Sequence, residues 1–378
     1  MKQNETYQPR RPPSLAWLEA LQHPQLALEW PIGEWERVVR LSRRLRLLAR
    51  LAARLEAAGL MNQVPAQARR HLVAEQRLSL WRTNAMIWVL DRVAISLHDC
   101  GYPLVLLKGS AYIGQDLSIA AGRLPSDVDI MVPRAHLDDA LARLKRDGWS
   151  EQEIDDHDRR YYYEWTHEVP PMTHPLHGAE LDLHHNILPP VASTRVDAAA
   201  LLKQLRPSKW PAWQVFDPTD QVLHSAVHLF HDSEARDRIR DLVDLDGLFR
   251  HFGAGPGFWH GLLARAQTLG LGEPLALATH FLRVWFGTPI PDDVAASIES
   301  IGPGRLRRAW LLPLLELILL PTEPDASPPL AQRAAAGFFL LRYHLRRMPL
   351  RILIPHLWHK MRERKKVADI DAPKQDQA

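Results

Sequence analysis

Asp127 and Asp129 stand two residues apart in the apolar run "DVDIMV". In a strand, residues i and i+2 project from one face, so both carboxylates point the same way while the apolar residues pack. Neighbouring carboxylates repel and lose hydration unless a cation or a partner joins them. Mg²⁺ suits such a pair, because it takes one or two protein carboxylates and completes its octahedron with water and substrate phosphates. Downstream, "AELDLHH" places Glu180, Asp182 and His184 on one face of a second strand, with Leu181 and Leu183 opposite. Asp182 is the candidate third carboxylate and Glu180 its same-face competitor. Upstream, "LVLLKGS" reads as a strand that ends in Gly109-Ser110 and opens a helix, where backbone N–H groups meet a phosphate. The spacing of a Walker P-loop is absent. A phosphate turn, a carboxylate pair and a third acid together equip a site for two-metal phosphoryl or nucleotidyl transfer.

The elements that must position these residues form an α/β unit over 99–190. Its expected order is strand, short helix ("AYIGQDLSI"), strand, helix ("RAHLDDALARLKRDG"), then "YYYEWTHEV" and "AELDLHH" as alternating strands. Helical periodicity precedes it from about Pro31 to Gly59 and again from Ala66 to Cys100. It resumes after Pro189-Pro190, with helices expected over 219–232, 236–252, 257–270, 273–287, 303–320, 328–347 and 350–366. The predicted fold class is α+β: a small mixed sheet with helices over 99–190, an N-terminal helical region over 15–98 and a helical C-terminal domain over 191–366. Residues 1–14 and 367–378 are expected to be disordered.

The bulk composition narrows the function. The chain has 378 residues with a formal net charge of +3, which is too small for charge alone to make a nucleic-acid binder. Cys100 is the single cysteine, so no internal disulfide forms, and the reading is a buried small residue in a reducing cytosol. The first residues lack an apolar stretch, so no secretory signal is expected. The apolar run "AWLLPLLELILLP" is too short for a bilayer. A cytoplasmic location follows as the expectation.

Taken together, "LKGS", "RLPSDVDIMV" and "ELDLHH" resemble the DNA polymerase β-type nucleotidyltransferase superfamily. More narrowly, Lys108-Gly109, Arg123, Asp127-x-Asp129 and Asp182-x-His184 resemble a poorly characterised bacterial nucleotidyltransferase family. The helical segment "DQVLHSAVHLFHDSEARDRIRDLVDLDGLF" is similar to that family's region with an "LxDL" helix, and the resemblance covers roughly 75–250. It implies that Asp127 and Asp129 bind Mg²⁺ and that Asp182 holds a second metal ion or acts as base. It implies that Gly109 and Ser110 meet the β- and γ-phosphates of an NTP while Lys108 and Arg123 offset triphosphate charge. The products are a nucleotidylated acceptor and pyrophosphate; the acceptor, a small molecule, RNA or protein, stays open. The sixteen residues between Ser110 and Asp127 exceed the usual spacing. They keep a second reading alive, that of a catalytically silent nucleotide- or partner-binding protein.

Other features read more blandly. His224, His228 and His231 share a helical face, but Ser225 stands where a zinc protease carries Glu, so a packed or cleft-facing histidine row is expected. Asp241 and Asp244 read as helix-packing or interdomain contacts. Most of the thirteen tryptophans belong to the core, with one free to stack on a base. The basic stretch from Leu341 to Lys366 is a solvated helical face, or a weak contact for an anionic membrane surface.

Overall fold

Val128–Met131 is buried at every position, and the sheet is built outward from it. The computed structural model describes residues 11–176, 178–231, 236–355 and 358. Before the sheet come helices α1 (Ile32–Arg44), α2 (Leu48–Ala57) and α3 (Ala66–Ser96). Then follow β1 (Val105–Leu106), α4 (Lys108–Gly114), β2 (Val128–Met131), α5 (Leu137–Arg146), β3 (Ser150–Glu151), α6 (Asp156–Arg160), β4 (Met172–His174) and β5 (Ala179–His184). After these come α7 (Ala198–Leu202), β6 (Leu205–Pro207), β7 (Gln214–Phe216), α8 (Pro218–His231) and α9 (Ile239–Phe252). The rest is helical: α10 (Phe258–Thr268), α11 (Gly272–Phe281), α12 (Asp292–Ser300), α13 (Arg305–Leu319) and α14 (Leu330–Arg347).

The strand order is β3-β4-β5-β2-β1-β7-β6. β2 pairs in parallel with β5 and antiparallel with β1, and β1 pairs in parallel with β7. The α+β class is therefore as expected. Helices flank a mixed sheet, and one apolar core runs from Leu15 in the N-terminal region to Phe339 in α14.

Four local expectations differ. "YYYEWTHEV" does not form a strand: Tyr161–Trp165 is a π-helical turn following α6, and only Glu168 bridges to His184. Aromatic residues raise strand propensity, but tertiary packing overrides it. The sheet continues past Pro190 through β6 and β7, whose short runs flank "SKWPAW" and carry little periodicity of their own. The first long helix is broken at Arg46, whose backbone is left-handed (φ 59°), dividing α1 from α2. Residues 11–14 are folded: Arg11 donates to the Trp285 carbonyl at 2.6 Å, and a 3₁₀ helix spans Pro13–Leu21. Residues 1–10, the tail 367–378 and most of the basic segment beyond residue 355 lie outside the described residues.

The long connection from Ser110 to Asp127 has a definite path. After α4 it makes a 3₁₀ turn at Ser118–Ala120 and then folds against α2. There Gly122 (φ +70°) lies so close that a Cβ would come within 2.3 Å of the Ala49 carbonyl oxygen. A left-handed residue without a side chain is what this approach requires. The extra length returns Arg123 to the start of α4.

Candidate active site

The parallel pairing of β2 with β5 sets Asp129 directly beside Asp182. Their apolar neighbours Val128, Ile130, Leu181 and Leu183 are buried and fix both strands. Oxygen atoms of Asp127, Asp129 and Asp182 lie within 4.8 Å of one another, a separation that a divalent cation spans. Glu180, the same-face competitor, is exposed and outside this group. Burial and the charge of Asp129 push the Asp182 carboxyl up to about 7. The crowding of acids that the sequence implies is therefore present, and a cation would relieve it.

Asp129 is 4% exposed. Burial alone raises its pKa, but the Lys108 ammonium and the His184 hydrogen bond hold it well below the usual carboxylate range. Lys108 Nζ donates to Asp129 Oδ1 at 2.7 Å. His184 Nε2 lies 3.2 Å from the same oxygen, and because an ionised carboxylate only accepts, that nitrogen carries the proton. The Lys108 backbone is left-handed at φ 46°, a costly conformation for a side chain of this size. It persists at the junction of β1 and α4, where the Leu107 N–H donates to the Asp129 carbonyl at 3.1 Å.

Gly109 has a reason independent of any ligand. A Cβ there would stand 2.0 Å from Arg123 Nη1. Arg123 is held from the other side by Asp244, Nε to Oδ2 at 3.1 Å, and its guanidinium stacks 5.6 Å over the Tyr112 ring. Asp244 also accepts from Arg50 Nη2 at 2.7 Å, which ties α9 to α2. Asp244 thus acts in packing, as its sequence position suggests, and it also positions Arg123. Ser110 departs from expectation. It is 1% exposed, and its hydroxyl faces the Met86 sulfur at 3.6 Å, because α3 packs over this side of the turn. The Ser110 side chain does not reach the cavity, so the backbone of the turn is what can face a phosphate.

A cavity of about 340 Å³ opens beside the carboxylates and is lined by Arg44, Arg46, Lys108, Arg123 and Arg240 among others. Arg46 donates to the Leu124 carbonyl at 3.1 Å and, among the described residues, has no carboxylate at ion-pair distance. Burial, then the cations of Arg240 and Arg82, push it down to about 10. Asp127 opposes this shift from across the cavity. Arg44, Arg46 and Arg240 escape sequence reading because an arginine on a site looks the same as one on a solvated helix, and the helical period runs on through Arg46.

Two further cavities adjoin. One of about 370 Å³ shares Ser126 and Asp127 with the arginine cavity and is lined by Trp81, Trp88 and Glu180. Trp81 and Trp88 lie seven residues apart on α3, both exposed. The other, about 130 Å³, lies beyond Lys108 and holds His167, Glu168, His224, His228 and His231. The histidine row therefore faces a cleft. Among the described residues it forms no metal-ligand group of its own. His228 Nδ1 lies 2.8 Å from Arg238 and His231 Nε2 3.0 Å from Arg346.

A mixed sheet with Asp-x-Asp on one central strand and an acid in register on the next is a nucleotidyltransferase-type fold. The family model described as "Uncharacterised nucleotidyltransferase" matches residues 32–287, and the chain belongs to that family. The match includes α1, α2 and the arginines beside them, the three aspartates, Lys108, Gly109, Arg123 and the histidine row, and ends before Arg346. No curated protein and no solved structure matches the chain.

Proposed function

We propose that this chain transfers a nucleoside monophosphate from an NTP to a hydroxyl-bearing acceptor and releases pyrophosphate, with Mg²⁺ held by Asp127, Asp129 and Asp182. The observation that supports it is the convergence of these three carboxylates at the edge of an arginine-lined cavity. Mg²⁺ bound there supplies charge neutralisation at the transferring phosphoryl group. Arg44, Arg46 and Arg123 take the β- and γ-phosphates, with the Gly109-Ser110 backbone beside them. The nucleoside occupies the opposite cavity against Trp81 and Trp88, so that the α-phosphate lies over Asp127, which both cavities share.

The acceptor oxygen bonds to the α-phosphorus, and the bond from that phosphorus to the bridging oxygen breaks, its electron pair leaving with pyrophosphate. Asp182, in register beside Asp129, takes the acceptor's proton where it is not itself a metal ligand; its raised pKa belongs to the metal-free cluster, and a bound cation would lower it. Lys108 holds Asp129 ionised and fixed. Incubating the protein with each α-labelled NTP, Mg²⁺ and cell extract tests this reading: label should move to an acceptor. Saturable NTP binding with no label transfer would establish the silent binder instead.

The proposed setting is cytoplasmic. Among the described residues no helix is long and apolar enough to cross a membrane. Leu350, Ile354 and Trp358 recur every fourth residue and are exposed, which supports a weak contact of this basic segment with anionic membrane surfaces. Cosedimentation with phosphatidylserine vesicles should capture the full chain and lose the Ile354→Asp variant; equal capture of both would refute the contact.

A further inference from the structure

His167, Glu168 and His184 form a second cluster of metal-ligand type, separate from the three aspartates. One ligand atom from each lies within 4.8 Å of the other two. The cluster is built by backbone pairing. Val169 N–H donates to the Leu183 carbonyl at 3.0 Å, His185 N–H to the His167 carbonyl at 2.8 Å, and Glu168 bridges to His184. This pairing lays residues 167–169 antiparallel against the end of β5.

The chemistry of His184 points to a ligand. The ring is 2% exposed. Its Nε2 proton is committed to Asp129 Oδ1. Its Nδ1 is buried and makes no hydrogen bond, yet it faces Glu168 Oε2 at 3.5 Å. A neutral Nδ1 set against a carboxylate oxygen is repulsive, and the contact becomes favourable when either a proton or a metal ion stands between them. His167 approaches the same carboxylate through Nε2, 3.9 Å from Glu168 Oε2, and the two imidazoles lie 5.4 Å apart between ring centres. Two imidazoles and a carboxylate are a donor set for a borderline transition ion rather than for Mg²⁺, which prefers oxygen alone. A carboxylate on the far nitrogen of a ligating histidine is also the usual support for such a site, and Asp129 provides it.

We propose that His167, Glu168 and His184 bind one transition-metal ion of the Zn²⁺ class, with His184 linking that ion to Asp129 of the nucleotidyl-transfer site. The remaining coordination positions face the histidine-lined cavity, where Lys108, Arg346 and Arg347 favour water or an anionic oxygen as the exogenous ligand. The site is independent of the reaction assigned above: it stands on ligand geometry and holds whether or not the chain turns over nucleotides.

The test is metal binding by the full chain after chelator treatment. Equilibrium dialysis against Zn²⁺ in a large excess of Mg²⁺ should leave one Zn²⁺ per chain. His167→Ala and Glu168→Gln should each weaken Zn²⁺ binding about tenfold or more, while Asp127→Asn leaves it unchanged. Absence of stoichiometric Zn²⁺ would overturn the proposal. So would Zn²⁺ that is lost in Asp127→Asn but retained in Glu168→Gln, since that ion would belong to the aspartates. Where a variant fails to fold by circular dichroism, Co²⁺ added to the wild-type chain decides. Visible bands displaced by Zn²⁺ and not by Mg²⁺ support the site, and a spectrum of Co²⁺ in water alone contradicts it.

Discussion

Lys108 Nζ donates to Asp129 Oδ1 at 2.7 Å from a backbone held in the left-handed region. The strain and the contact belong together: the left-handed turn leads from β1 into α4 and sets the ammonium against the carboxylate beside Asp182. A residue chosen only for the turn would be Gly or Asn.

Lys108→Met removes the cation and leaves Asp129 buried with His184 as its hydrogen-bonding partner. Breaking a buried pair costs up to roughly 3–5 kcal/mol, less what His184 retains. The variant should melt at lower temperature in calorimetry, and added Mg²⁺ should raise its melting point more than it raises that of the wild-type chain. An unchanged melting point would mean that the pair carries no stability.

Gly109→Ala probes the position of Arg123. The new methyl group would collide with a guanidinium that Asp244 and Tyr112 hold in place. Displacement by about 1 Å costs on the order of 100-fold in rate, so kcat/KM for NTP should fall by that order. Asp244→Asn should produce a similar loss, and the double variant much less than the product of the two. Fully multiplicative effects would separate Asp244 from Arg123.

Trp81→Ala tests where the nucleoside lies. Loss of one stacking surface costs roughly 1–3 kcal/mol. The KM for NTP should therefore rise by about 5- to 150-fold with little change in the release of pyrophosphate at saturation. A KM unchanged in both Trp81→Ala and Trp88→Ala would move the nucleoside elsewhere.

The histidine row makes the fold sensitive to acid. Burial, with cations nearby, pushes His224 and His231 down to about 3 and His228 well below its ordinary value. Each binds fewer protons folded than unfolded between about 3 and 6.5, so the stability it confers is complete above about 6.5 and is lost as pH falls below that. The slope is at most about 1.4 kcal/mol per pH unit for each histidine. Denaturant midpoints measured from pH 7.5 to 4.5 should fall steeply, and His231→Gln should flatten the curve. A midpoint independent of pH would contradict the burial.

The parts of the site that were legible in sequence are those where a local anomaly marks them. Two acids at strand spacing inside "DVDIMV" betray themselves, as does an acid in the apolar alternation of "AELDLHH". Lys108 and Gly109 were legible as a turn. The left-handed pose of Lys108 and the contact of Gly109 with Arg123 were not, because they depend on the return of a sixteen-residue connection over α2. Arg46 comes from the break between α1 and α2 and Arg240 from α9, both distant in sequence from the aspartates, and the pairing of Glu168 with His184 follows a π-turn that aromatic composition disguises as a strand. Ser110 shows the reverse error: a motif position whose side chain is turned into the core by the packing of α3. The α+β class was readable from periodicity, whereas β6 and β7 are too short to announce themselves and are fixed by long-range pairing with β1.

The central claim is that Asp127, Asp129 and Asp182 make a catalytic metal site, and pyrophosphate release is its most direct measure. The wild-type chain with Mg²⁺, NTP and acceptor-containing extract should release pyrophosphate, and Asp127→Asn and Asp129→Asn should each slow release by a factor of roughly 100 or more. Both variants should retain the far-UV circular dichroism of the parent. Release by the Asp127→Asn, Asp129→Asn double variant at the wild-type rate would contradict the account.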